Sequence, residues 1–118
     1  MMRRNPLVAV FDIETAIAGI VESTKDKTFA AFHSDWLLRH GVQRGIEIIS
    51  EAARRLPPEV LAFHPDIPWP KIRAVGNILR HEYQSVSDEI IWSVVQNDLP
   101  ELRRVMAEIR VRLEAGLE

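Results

Sequence analysis

The sequence predicts an all-α protein, a five- to six-helix up-and-down bundle, and three observations predict it. Apolar residues recur at spacings of three and four along most of the chain. Glycine is scarce, 5 in 118 residues, and β-branched alternation is weak. Proline and polar clusters separate the periodic stretches by short links, for which up-and-down packing is the default.

The first helix starts with Asn5 as N-cap and Pro6 at the first helical position, where the missing N–H costs nothing. Leu7, Val10, Phe11, Ile13, Ile17 and Ile20 form its apolar stripe, and the polar run 22–27 ends it. Thr28 caps a short second helix carrying Phe29 and Phe32. The third and longest runs from Asp35 to Leu56, with Leu38, Val42, Ile46, Ile49, Ala53 and Leu56 inward. Gly41 and Gly45 share a face and leave room for another backbone, and Pro57-Pro58 stops the helix. An ordered loop rich in proline follows, anchored to the core by Trp69. The fourth helix spans Trp69 to Glu82. Ser87, with Asp88 and Glu89 behind it, caps a short fifth helix bearing Ile90, Ile91 and Val94. Asp98-Leu-Pro-Glu101 reads as a capping box opening a sixth helix to Leu113. One domain, 1–118, is expected.

Composition narrows the function. Hydrophobic residues are 47% and charged residues 27%, as in a soluble globular protein, and no apolar run approaches the ~18 residues of a membrane span. No secretory core follows the basic start, since Asp12 and Glu14 interrupt the stretch, so a cytoplasmic protein is expected. The absence of cysteine excludes disulfides and thiolate metal sites. His33, His40 and His64 are scattered, so neither a metal nor any other cofactor is expected. A net charge of −2 gives no global attraction for nucleic acid, so any such contact requires a local patch. Glu47 and Glu51 stand four apart and read as a solvated face or as salt-bridge partners of Arg44 and Arg54 rather than a carboxylate pair. The remaining tryptophans, Trp36 and Trp92, read as core or interface residues.

The segment 71–83 carries the chemistry. At about 100° per residue Arg73, Asn77 and Arg80 share one narrow face, with His81 flanking it, while Ile72, Val75 and Leu79 point the other way. Guanidiniums offer bidentate donors to a phosphate, and an imidazole exchanges a proton near neutral pH. The same pattern also describes the plain solvated face of an amphipathic helix, and spacing alone leaves both readings open.

Five stretches are informative together: Gly45-Ile-Glu-Ile-Ile-Ser-Glu-Ala-Ala-Arg-Arg-Leu56, His64-Pro-Asp-Ile-Pro-Trp69, Asn77-Ile-Leu-Arg-His-Glu-Tyr83, Ile91-Trp92 and Asp98-Leu-Pro-Glu-Leu102. In these the chain resembles the HepT-like proteins, a branch of the HEPN superfamily. The order and spacing of the stretches together carry the resemblance over nearly the whole chain. It implies a helical bundle that forms a homodimer and cleaves RNA (tRNA or mRNA) without metal, as the toxin of a toxin–antitoxin pair. The family motif is Arg, four to six residues, His, any residue, Tyr. By position, His81 is the implied general acid or base and Tyr83 the motif tyrosine. The implied antitoxin is a minimal nucleotidyltransferase that silences the toxin by transferring AMP to Tyr83. Gly76 stands where many relatives have the motif arginine. Arg73, a turn earlier, and Arg80, beside His81, are the available substitutes, with Asn77 between them. In a continuous helix His81 and Tyr83 diverge by about 160°, so one site holding both needs the helix to end near Glu82 or a second subunit. The alternative is a non-catalytic helical module that binds a nucleotide or the nucleotidyltransferase, favoured by Gly76 and the acidic net charge.

Overall fold

The computed structural model describes residues 5–116 apart from Tyr83 and Ser85, and its ordered elements are all helical. Among the described residues seven α-helices run in the order α1 (Pro6–Thr24), α2 (Phe29–His33), α3 (Trp36–Arg54), α4 (Pro58–Leu61), α5 (Trp69–Glu82), α6 (Asp88–Ser93) and α7 (Leu99–Glu114). A π-helical stretch, Val94–Asp98, joins α6 to α7. The four long helices build the bundle: α3 packs between α1 and α5, and α7 lies on the other side of α1. The bundle measures 45 × 29 × 24 Å. None of the helices among the described residues is long and apolar enough to cross a membrane.

Local chemistry starts most helices where the sequence predicts. The Asn5 side chain accepts from the Leu7 N–H at 2.9 Å, Thr28 from Ala31 at 3.1 Å, Asp35 from Leu38 at 3.0 Å and Ser87 from Ile90 at 3.2 Å. Each satisfies an amide that the first helical turn leaves without a partner. Ile13 and Ile17 of α1, Phe32, Ile46 and Ile49 of α3, Ile91 and Val105, Met106 and Ile109 of α7 fill the core. Two ion pairs fasten α1 to its neighbours. Arg55 donates to Asp12 at 2.7 Å, and Arg110 Nε to Glu14 at 3.1 Å. The hydrogen bond and charge of Glu14 hold the Arg110 guanidinium above its ordinary pKa.

Four local expectations need correction. Asp98 is no N-cap: its backbone is already helical (φ −93°, ψ −39°) and its side chain makes no capping bond. The helix runs on through the π turn, where the Leu99 N–H bonds to the Val94 carbonyl. Pro100 explains the widening, because its ring lacks the N–H and crowds the carbonyl four residues before it. Second, Phe11 and Ile90 lie at the edges of their apolar stripes and are mainly exposed. Third, of Gly41 and Gly45 only Gly41 keeps the expected open space, and among the described residues no second backbone comes close to either. Gly45 receives the Ile20 side chain, 2.7 Å from where a Cβ would sit, and Gly41 faces nothing within 4 Å. Fourth, Pro57-Pro58 ends α3 and also starts a turn of helix, α4, with Pro58 in its first turn.

Candidate functional site

The rotation of α5 is fixed at both ends. Trp69 is buried, and its indole N–H donates to the carbonyls of Leu61 and His64, each at 3.0 Å. Leu79 is buried a few turns on, with Ile72 and Val75 half-buried between them. This rotation leaves Arg73, Asn77 and His81 exposed in one row, four residues apart, which spans about 12 Å of helix. Their three side chains have no hydrogen-bond or ion-pair partner among the described residues. The row is longer than a single phosphate and matches a short stretch of backbone.

Arg80 differs from Arg73. Its guanidinium is ion-paired with Glu51, and its Nε lies 3.9 Å from Glu47. Arg44 approaches the same two carboxylates, at 3.3 and 3.8 Å. Two cations and two anions thus form a neutral network across α3 and α5. Glu47 and Glu51 do pair with Arg44, as the sequence predicts, but their other partner is Arg80 and not Arg54. Tyr83, the predicted AMP acceptor, lies outside the described residues.

Beneath the row, α5 presses against α3 at Gly76. The Gly76 N–H donates to Ser50 Oγ at 3.0 Å, and that hydroxyl donates to the Arg73 carbonyl at 3.1 Å. Arg54 Nε donates to the same carbonyl at 2.8 Å. A Cβ at position 76 would stand 2.7 Å from Ser50 Oγ and 2.8 Å from Ser50 Cβ, so only glycine fits this approach. Sequence reading missed this role of Ser50 and gave Arg54 to Glu47 and Glu51 instead of to the Arg73 carbonyl. The partners of Ser50 and Arg54 are 23 and 19 residues away on another helix, and no short-range pattern marks such a pairing.

The other histidines are engaged in separate places. His33 Nδ1 stands 2.7 Å from Asp88 Oδ2, with Arg39 Nη1 3.6 Å from the same oxygen. His64 lies 3.6 Å from Glu108. No group of three or more His, Cys, Asp or Glu side chains able to hold a metal ion occurs among the described residues.

Comparison with known proteins gives the lineage. The family model described as "Ribonuclease HepT-like" matches residues 13–109, which include the whole α3–α5 seam. "Probable ribonuclease HepT" of Thermococcus cleftensis is 32% identical over 109 residues, covering 92% of this chain and 99% of that protein. A provisionally named RNase of Caldanaerobacter subterraneus is 36% identical over 90 residues, 76% of this chain and 80% of its own. Another, from Methanocaldococcus jannaschii, is 29% identical over 104 residues, 88% and 95% of the two chains. No solved structure matches the chain significantly. A match over most of the chain, with relatives of similar length above 30% identity, establishes that this protein belongs to the HepT-like ribonuclease family.

Proposed function

We propose that this protein is a metal-independent endoribonuclease, the toxin of a toxin–antitoxin pair, acting as a homodimer through the exposed row of α5. The observation that carries this reading is the row itself: a guanidinium, an amide and an imidazole in line, with no partner among the described residues. The names of the relatives as ribonucleases support it. Arg73 and Asn77 hold the RNA backbone, and His81 moves the proton. A neutral His81 takes the proton of a ribose 2′-hydroxyl as its oxygen attacks the adjacent phosphorus. The bond to the 5′-oxygen breaks, and that oxygen takes a proton from the imidazolium of the second subunit, leaving a 2′,3′-cyclic phosphate. Arg80 joins the phosphate only if it gives up Glu51. The antitoxin, a minimal nucleotidyltransferase, transfers AMP to Tyr83 and so adds a bulky anion two residues after His81 in the sequence, which repels RNA phosphates.

The test is incubation of the purified protein with tRNA and total RNA in EDTA, beside His81→Ala, with mass spectrometry of Tyr83 after adding partner and ATP. Cleavage in EDTA that disappears in His81→Ala, and stops once Tyr83 gains AMP, is the expected result. Cleavage by His81→Ala at the wild-type rate would remove His81 from the mechanism. Gly76 in the place of the motif arginine favours a second reading, a non-catalytic module binding a nucleotide or the nucleotidyltransferase. Partner binding without any RNA cleavage is the result that would select it.

A further inference from the structure

We infer that Arg54, on α3, is a second phosphate-binding cation of the α5 face and occupies the role that position 76 cannot fill. The inference rests on the RNA-cleaving reading above and names a residue that reading does not need. The steric argument comes first. Gly76 is buried against Ser50, and a side chain there collides at 2.7 Å, so the seam itself forbids an arginine at 76. A cation serving this face must therefore come from elsewhere.

Arg54 meets the requirements of such a cation. It is exposed, and its Nε–H donates to the Arg73 carbonyl at 2.8 Å. That bond uses one of five guanidinium N–H groups and leaves the two terminal nitrogens, the fork that matches a phosphate. Because the stem is already tied to α5, less freedom is lost when the fork takes a ligand. No carboxylate pairs with it among the described residues. The nearest acids along α3 are committed elsewhere, Glu51 to Arg80 and Glu47 to Arg44. By contrast Arg39, Arg44, Arg55, Arg80, Arg104 and Arg110 each lie within 4 Å of a carboxylate. Arg54 thus reaches α5 through the backbone carbonyl of Arg73, and neither guanidinium has a carboxylate partner among the described residues. In this reading the anion that compensates them is the backbone phosphate of single-stranded RNA.

The experiment measures binding of a fluorescein-labelled single-stranded RNA by anisotropy across 50–200 mM salt, with His81→Ala present throughout so that the strand stays intact. Arg54→Ala, Arg54→Gln and Arg54→Lys are compared, each with its Tm. Loss of one phosphate contact lowers the steepness of log K against log salt by about 0.7. Arg54→Ala and Arg54→Gln are expected to show that loss, and Arg54→Lys, which keeps the charge, to retain the slope. A purely structural role for Arg54 predicts a lower Tm with an unchanged slope in all three, and that result overturns the inference. With His81 restored, normal RNA cleavage by Arg54→Ala, beside an affinity unchanged in the His81→Ala background, would remove Arg54 alone. Absence of RNA binding and cleavage by the wild-type protein would overturn the ribonuclease reading, and the role of Arg54 with it.

Discussion

A methyl group at position 76 has no room, and that one fact reorganises the site. Ser50 is fully buried, and its hydroxyl both accepts from Gly76 and donates to the Arg73 carbonyl. Gly76→Arg therefore forces α5 off α3, an overpacking that costs about 1–3 kcal/mol and lowers Tm by roughly 4–12 °C. Removing the obstacle reverses the effect: Ser50→Gly with Gly76→Arg is expected to melt higher than Gly76→Arg alone. Thermal unfolding followed by circular dichroism decides it. A Gly76→Arg protein that melts with the wild type would show that the helices part freely and that the contact constrains nothing. Sequence periodicity placed Arg73, Asn77 and Arg80 on one face because helical spacing depends only on neighbours three and four away. That Arg80 is neutralised was hidden, since Glu51 is 29 residues distant and approaches only after α3 and α5 dock.

At the scale of the elements, the predictable parts are those governed by short-range bonds. Asn5, Thr28, Asp35 and Ser87 each accept an amide proton two or three residues ahead, and all four were legible as caps. Asp98 has the same residue type in a similar frame and fails, because Val94–Asp98 is already helical and needs no start. The distinction is measurable. Ser87→Ala removes a working cap and is expected to cost about 1 kcal/mol, whereas Asp98→Ala costs less than about half of that. Urea denaturation of the two variants tests the claim, and equal losses would restore Asp98 as a cap. The apolar stripes were legible in direction but not in width. Phe11 and Ile90 have the right spacing, yet they sit where no neighbouring helix reaches, a fact settled by docking and invisible to periodicity.

For the molecule as a whole, the net charge of −2 determines how RNA must be found and held. Such a protein has no broad positive field, and at physiological salt each charge is screened within about 8 Å. Binding then depends on the few cations that touch phosphate directly. Most of the described arginines are already matched to carboxylates of the same chain, which leaves Arg54 and Arg73 as the pair on the site face. Two phosphate contacts on a single strand give a salt slope of about −1.4, so affinity falls roughly sevenfold between 50 and 200 mM salt. A homodimer that lays one strand across both subunits doubles the count, to about −2.8 and a fall of roughly 50-fold. The slope thus counts the subunits that hold one RNA, a quantity no single chain reveals. Measured beside the sedimentation coefficient, a slope near −2.8 in a dimer places one strand over both α5 faces. A slope near −1.4 in a dimer means that each subunit binds its own strand, and cleavage then cannot draw its second proton from the partner's imidazole. A slope near zero would exclude phosphate contacts by both arginines, and with them the reading of this face as an RNA site.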